Sequence, residues 1–241
     1  MEVRLINYTK DAVDTLLYTK STRLELGKET ENKIKAMSEE EKMAELDYMS
    51  KTVPSSWEFV DYIFEIRGVS RAFTHQFVRT RTGSYAQQTM RMLNMENFDY
   101  IKNYTFGGNG LASQIYDKTM SDINEAYKKM IELGIPEEDA RGVLPTNICT
   151  NIIAKFNLRT LAELAKSRTG YRTQNEYRQV FDEMIKRVIE VHPWAEKFLI
   201  SHKTEAAIGM DKFINSVLEK KAISKDEAVA ARKLLDILRK E

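Results

Sequence analysis

Residues 65–91 read EIRGVSRAFTHQFVRTRTGSYAQQTMR, and their second half, from Arg79 to Arg91, is rich in cations and contains no acid. Arg79, Arg81 and Arg91 stand there among threonine, serine and glutamine side chains, which bind oxygen atoms without adding negative charge. Guanidinium groups match phosphate and carboxylate groups with two parallel hydrogen bonds. The stretch therefore predicts a local site for an anionic ligand.

The composition of the whole chain restricts the kinds of partner it can have. The chain has 241 residues, a formal net charge of +1 and 30% charged residues, so no overall field attracts nucleic acid or an anionic membrane. One cysteine, Cys149, and three histidines argue against disulfides and a zinc site. The N-terminus does not resemble a signal peptide, and no apolar run could span a bilayer. We expect a cytoplasmic protein without a metal.

The hydrophobic pattern indicates a mixture of strands and helices. Alternating or β-branched runs predict strands at residues 3–8, 59–64 and 146–156, with Gly68 ending the second. A capping pattern at Ser38 begins one helix, Ser70 caps a short second one, and Gly134 closes a long helix over residues 111–133. The pattern predicts an α/β protein of the α+β type, in which a sheet packs with long helices. Further helices are predicted at residues 158–168 and 175–191 and, as two short amphipathic segments, in the charged tail.

Three ordered segments resemble the flavin-dependent thymidylate synthases. The first is residues 65–91, where Arg79-Thr80-Arg81 is followed by Ser84, Thr89 and Arg91 at the family's spacing. The second is ARGVLPTN, residues 140–147, and the third is NLRTLAELAKSR, residues 157–168. The resemblance covers roughly residues 50–200 and is specific because three motifs occur in the family's order.

The resemblance implies a reaction and an assembly. Such enzymes methylate dUMP at C5 to give dTMP, with methylenetetrahydrofolate as the carbon donor, FAD as the hydride carrier and NADPH as the reductant. It also implies a homotetramer with FAD between subunits. On this interpretation residues 1–203 form the enzyme domain and residues 204–241 a C-terminal helical extension, and the partners are small molecules rather than nucleic acid polymers.

The resemblance assigns residues to two ligands. Arg91 and Arg141 would hold the phosphate of the nucleotide. Arg168 would be catalytic, because a cation against the uracil stabilises negative charge on the ring as C5 becomes nucleophilic. The predicted dUMP-binding residues are Gln76, Arg79, Gln87, Gln88, Thr89, Arg91, Arg141 and Arg168. The predicted FAD-binding residues are Ser55, Glu58, Arg79, Thr80, Arg81, Gln87, Asn157, Arg159 and Glu163.

Four positions depart from the family pattern. Thr80 and Val53 stand where histidine is usual, Ala86 replaces a polar residue, and Glu163 replaces histidine or asparagine. An anion at residue 163 disfavours the anionic reduced flavin unless Arg159, one turn earlier, neutralises it. Cys149 lies in an apolar run and is predicted to be a buried core thiol rather than a nucleophile.

These departures leave alternative functions open. One is a related dUMP hydroxymethyltransferase, in which water rather than hydride traps the folate carbon. Another is a catalytically weakened nucleotide-binding homologue that retains the fold and the tetramer. A third, an α/β protein whose arginines match by chance, is disfavoured by the three ordered motifs.

Overall fold

The computed structural model of the chain describes residues 1–22, 28–103, 105–106, 109–168, 173–200, 202–219 and 222–238. Four strands are interspersed among the helices in the first two thirds of the chain, helices alone follow the last strand, and 3-10 turns lie at residues 54–59, 141–143 and 193–195. The elements are β1 (Glu2–Tyr8), α1 (Ala12–Ser21), α2 (Lys28–Ala36), α3 (Glu39–Thr52), β2 (Asp61–Ser70), α4 (Arg71–Phe77), β3 (Ser84–Gln87), α5 (Gly110–Glu132), α6 (Glu137–Ala140), β4 (Cys149–Asn157), α7 (Leu158–Arg168), α8 (Asn175–Val191), α9 (Glu196–Leu199), α10 (His202–Glu219) and α11 (Lys225–Leu238).

The four strands form one sheet in the order β1-β2-β4-β3. β3 and β4 run antiparallel, with Ser84 opposite Lys155 and Gln87 opposite Ile152. Alternate residues of β4 are buried, as expected for a strand with one face on a core. The mixture of helices with an antiparallel sheet confirms the predicted α+β class.

The second predicted strand was placed too early along the chain. Residues 54–59 form a 3-10 turn instead, anchored by Trp57, whose indole Nε1–H donates to the carbonyl of Met49 at 3.2 Å. β2 begins at Asp61 and runs through Gly68 to Ser70, so the prediction that Gly68 ends the strand was wrong. Gly68 has a φ of +64°, a conformation that glycine adopts without steric cost. The strand can therefore continue past this residue in spite of its unusual backbone angle.

Several predicted helix ends are confirmed. Ser38 and Glu41 form a reciprocal capping box at the start of α3, and the Ser70 hydroxyl accepts from the backbone N–H of Phe73 at the start of α4. After α5, Gly134 has a φ of +81° and donates to the carbonyl of Ile131. Ser38 and Ser70 satisfy N–H groups of the first helical turns, and the N–H of Gly134 satisfies a carbonyl of the last turn of α5.

The chain divides into two compact units. The first consists of Met1–Ile6 with Ile63–Lys155, and the second of Asn7–Tyr62 with Phe156–Glu241. In the second unit α7 packs against α8, and both helices carry buried apolar residues such as Leu161, Leu164 and Phe181. Cys149 is half-buried rather than buried as predicted. It is the first residue of β4, and a residue at the end of a strand is covered less than one in the middle.

The tail contains the two helices that its pattern predicts, α10 and α11, which pack on each other. The division into an enzyme domain at residues 1–203 and an extension at 204–241 stays a prediction. Within the described ranges, no helix is long and apolar enough to cross a membrane.

Candidate active site

In the first unit, Arg71 and Arg141 form the centre of a basic cluster. The backbone N–H of Arg71 donates to the carbonyl of Ile148 at 3.1 Å, and its Nη1 lies 3.5 Å from the carbonyl oxygen of Gln88. Burial lowers the pKa of Arg71, and the positive charge of Arg141 lowers it further. Two guanidinium groups that repel each other favour an anion between them. Arg71 was missed in the sequence, although it lies within the family-like segment at residues 70–79.

A carboxylate of α6 accompanies this cluster. Nε of Arg91 is 2.8 Å from the carboxylate of Glu138, and Nε of Arg141 donates to the backbone carbonyl of Glu138 at 2.9 Å. The ion pair between Arg91 and Glu138 is largely exposed, and such pairs are weak. A phosphate with two negative charges can therefore compete with Glu138 for Arg91. Glu138 was also missed, because an acid near a phosphate site is not expected from the family pattern.

The residues between β3 and Arg91 supply neutral polar groups. Nε2 of Gln87 donates to the Thr74 hydroxyl at 2.9 Å, which fixes the orientation of the Gln87 amide. Oε1 of Gln88 accepts from Asn151 at 2.9 Å. The Thr89 hydroxyl accepts from the backbone N–H of Arg91 at 3.0 Å, and its own proton remains available for donation. This segment therefore places the Thr89 hydroxyl beside the backbone of Arg91.

The predicted residues that follow α4 have fewer contacts. Gln76 is half-buried on α4, and the carbonyl of Thr80 accepts from the Tyr85 hydroxyl at 2.7 Å. Arg79 and Arg81 are exposed, and no hydrogen bond or ion pair joins their side chains to another residue in the described part of the chain. The structure therefore does not bring these two arginines into contact with the rest of the cluster.

In the second unit, the first turn of α7 presents Arg159 between two carboxylates. Its Nη1 lies 2.6 Å from Glu58, and its Nε lies 3.1 Å from Glu163. Hydrogen bonds to Glu58 and then Glu163 raise the pKa of Arg159. Arg159 and Glu163 thus form the ion pair that their spacing of one helical turn allows. Oδ1 of Asn157 accepts from the backbone N–H of Thr160 at 2.8 Å and caps the helix, which leaves its amide N–H groups as donors.

Ser55 lies in the wall of a cavity in this unit. The cavity has a volume of about 920 Å³ and is open at one side, with hydroxyl groups, two aromatic rings, three carboxylates and one lysine in its wall. This mixture of a polar and an aromatic lining suits a nucleotide-like group, since rings stack on bases and carboxylates accept from ribose hydroxyls. The lining residues are Asp11, Asp14, Thr15, Tyr18, Thr19, Thr22, Glu31, Ile34, Lys35, Ser55, Ser56 and Phe59.

At the other end of α7, Arg168 lies against an aromatic ring. Its Cζ is 5.2 Å from the ring centroid of Tyr177, a fully buried residue in the first turn of α8. Its Nε atom is buried and has no hydrogen-bond partner among the described residues. Buried donors in native proteins are nearly always satisfied, so this atom fits a site that a ligand acceptor completes. Tyr177 carries no signal in the sequence that would have identified it.

Two of the four departures have a clear structural consequence. Val53 is 2% exposed and belongs to the core between α3 and the following 3-10 turn, so it presents no polar group to a ligand. Ala86 is exposed on β3 and has no polar side-chain group, so the polar side chains of that strand are those of its neighbours. The predicted residues 76–91 and 141 lie in the first unit, and 55, 58, 157–163 and 168 lie in the second.

Both units contain arginines, Arg91 and Arg141 in the first and Arg159 and Arg168 in the second, and guanidinium groups match phosphate and carboxylate groups. The chain belongs to the family described as thymidylate synthase complementing protein, whose profile matches residues 4–194.

Curated relatives carry one name. A flavin-dependent thymidylate synthase of Sulfurisphaera tokodaii is 33% identical over 198 residues, which cover 80% of this chain and 75% of the relative. One of Pyrococcus furiosus is 31% identical over 209 residues, which cover 81% of this chain and 84% of the relative. The similarity therefore extends over at least three quarters of each protein, not only over the motifs.

A solved structure has the same fold. The UMP/dUMP methylase PolB from Streptomyces cacaoi, crystallised with 5-Br dUMP, superposes with a TM-score of 0.69 and 16% identity. The superposition covers 82% of this chain and 94% of that one. At this identity the likeness shows the fold alone.

Proposed function

We propose that the protein methylates dUMP at C5 to give dTMP, with FAD as cofactor, methylenetetrahydrofolate as carbon donor and NADPH as reductant. The observation that carries this proposal is membership of the family over residues 4–194, together with relatives named flavin-dependent thymidylate synthase. We further propose that the protein is cytoplasmic and acts as a homotetramer. The arrangement of side chains in each unit supports the roles that follow.

The basic cluster of the first unit would bind the nucleotide phosphate. Arg141 and Arg71 supply adjacent cations, and Arg91 exchanges its weak pair with Glu138 for the phosphate. The Thr89 hydroxyl donates a hydrogen bond without adding charge. Arg71 is thereby added to the predicted set of Gln76, Arg79, Gln87, Gln88, Thr89, Arg91, Arg141 and Arg168.

Arg168 would act on the pyrimidine. Negative charge develops on the ring as C5 attacks the carbon donor, and a cation already fixed in place stabilises that charge without reorganising. The buried Nε of Arg168, which has no acceptor among the described residues, supports a role in binding a ring oxygen or nitrogen. Cys149 has no role in this proposal, because hydride from a flavin removes the need for an enzyme thiol on the uracil.

The second unit offers groups that fit FAD. The cavity beside Ser55 has the volume and the aromatic and carboxylate lining for a nucleotide moiety, and Arg159 suits a diphosphate. Glu58, Asn157 and Glu163 stand next to that guanidinium or cap its helix. Bound reduced FAD would supply the hydride that completes the methyl group. We include Arg79, Thr80, Arg81 and Gln87 in the FAD site on the family resemblance.

The direct test is to identify the product. Purified protein is incubated without oxygen with FAD, NADPH, methylenetetrahydrofolate and dUMP, and the nucleotides are separated and weighed by mass spectrometry. The proposal expects dTMP, and it expects none when FAD or the folate is omitted. Formation of 5-hydroxymethyl-dUMP would replace it with the hydroxymethyltransferase. Binding of dUMP with no product in the complete mixture would favour the weakened nucleotide-binding homologue.

A further inference from the structure

Arg168 differs from the other candidate arginines in what holds it. Arg91 and Arg159 are paired with carboxylates, whereas the guanidinium of Arg168 lies over the ring of Tyr177, with its Cζ 5.2 Å from the ring centroid. Tyr177 is completely buried in the first turn of α8, and α8 packs against α7. The ring is therefore a fixed surface rather than a mobile side chain.

A ring and a carboxylate hold a guanidinium in different ways. A carboxylate takes up two N–H donors and cancels the charge, whereas an aromatic ring attracts the cation through its face and leaves the N–H groups at the guanidinium edge unused. In Arg168 the buried Nε has no hydrogen-bond partner among the described residues. The contact with Tyr177 thus restrains the cation while preserving its charge and at least one donor.

We propose that Tyr177 is a positioning residue, which stacks on Arg168 and holds its guanidinium ready for negative charge on the bound pyrimidine. This inference rests on the proposed function, because the position of Arg168 at the uracil is part of that proposal. Tyr177 touches no ligand in this account. It acts by limiting the rotamers of Arg168 without neutralising it.

A purely structural role for Tyr177 makes a different prediction. A buried ring that only fills space would contribute to folding, and its loss would lower the melting temperature without altering the ligand chemistry. Phe181 offers a matched control, since it is another fully buried aromatic residue on α8, one helical turn after Tyr177. Tyr177→Leu and Phe181→Leu remove similar buried area, but only the first removes the ring beneath Arg168.

The first measurement uses 5-nitro-dUMP as a probe. Its nitro group makes the N3–H acidic near neutral pH, so the pyrimidine becomes anionic and its absorbance changes without any catalysis. A cation at the ring lowers the pKa of the bound probe. We expect the wild type, Tyr177→Phe and Phe181→Leu to lower the pKa of the probe equally. We expect Tyr177→Leu to lose most of that shift and to reduce kcat by about tenfold, with a dUMP Kd changed by less than about threefold.

The second measurement remains informative if Tyr177→Leu does not fold. Residue 177 is replaced by phenylalanine and by its mono-, di- and trifluorinated forms, which have nearly the same size and a progressively weaker negative ring face. The shift in the pKa of the probe should fall in that order, by about two- to tenfold in anion affinity across the series. The melting temperatures should stay nearly constant.

The outcomes separate this inference from the function on which it rests. A probe shift that stays constant across the fluorinated series would overturn the role of Tyr177 and leave the methylation proposal in place. The absence of any shift in the wild type would remove Arg168 from the pyrimidine and overturn the inference with it. A wild type that lowers the pKa of the probe but makes no dTMP would refute the proposed reaction and retain the role of Tyr177.

Discussion

The two ends of α7 carry arginines that the protein holds in opposite ways. Arg159, in the first turn, is clasped by Glu58 and Glu163 and has 41% of its side chain exposed. Arg168, the last residue of the helix, lies against the buried ring of Tyr177 and keeps a buried donor that has no partner among the described residues. Both residues belong to the same family-like motif, in which the resemblance assigns Arg159 to FAD and Arg168 to the pyrimidine.

The difference indicates two kinds of work. A guanidinium paired with exposed carboxylates can exchange them for phosphate oxygens at little cost, which suits reversible binding of a ligand. A guanidinium held by a ring retains its charge at a fixed position, which suits stabilisation of charge during a reaction. From this comparison we propose that Arg159 binds a ligand and that Arg168 takes part in catalysis.

Removing Arg168 tests the catalytic end and should have the largest effect. Arg168→Ala is expected to lower kcat by about 10²–10³-fold, because a preorganised charge is lost from the developing anion. Its FAD affinity and melting temperature should match the wild type. Arg187→Ala, which removes an exposed arginine of α8 paired with Glu190, is the control. Steady-state rates at saturating ligands measure the effect, and a rate within a factor of two of wild type would refute the catalytic role.

Removing Arg159 tests the binding end. Arg159→Ala is expected to weaken FAD by about 10- to 100-fold, because charge-assisted hydrogen bonds to a diphosphate are lost. A titration followed by flavin fluorescence measures it. When FAD is saturating, kcat should approach that of the wild type. A kcat reduced as far as in Arg168→Ala would show that the two ends do not divide the work.

Arg91 extends the comparison to the first unit, since it too is held by a carboxylate. Glu138→Gln is expected to tighten dUMP by up to about fivefold, because the phosphate no longer competes with an ion pair. Calorimetric titration gives the Kd, with the neighbouring Glu137→Gln as the control. Weaker dUMP binding would mean that Glu138 holds Arg91 in place for the ligand rather than competing with it.

The smallest effect is expected at Glu163. Glu163→Gln leaves Arg159 its shorter pair with Glu58 and removes one negative charge, so FAD should bind about twofold more tightly. The gain should be greater for reduced FAD, because an anion disfavours the anionic reduced form. Titrations of both redox states measure this, with Glu190→Gln as the control. An equal or weaker affinity for reduced FAD would exclude Glu163 from the neighbourhood of the flavin.

The sequence predicted the cations better than their partners. Periodicity and caps gave the class of fold and most helix ends, because these depend on local residues such as Ser38, Ser70 and Gly134. The start of β2 was missed because Phe59, the first aromatic residue of the predicted strand, belongs to the 3-10 turn before it. Glu58 and Tyr177 contact Arg159 and Arg168 from a distant part of the chain and from a neighbouring helix, and Arg71 interacts electrostatically with the distant Arg141. Of these residues only Glu58 was predicted, and that prediction came from the family resemblance. The other two were missed because the spacing of residues along the sequence carries no signal for such contacts.

The position of Arg159 has a consequence for stability as well. The peptide dipoles of α7 add up to positive potential at its first turn, where a cation is unfavourable, and to negative potential at its last turn, where Arg168 is welcome. The negative charges of Glu58 and Glu163 thus also offset the unfavourable interaction between Arg159 and the positive end of the helix dipole. We therefore expect the Arg159→Ala variant to have a melting temperature no lower than that of the wild type, although it binds FAD more weakly. At the start of α7, a residue that favours ligand binding is thus unfavourable for stability.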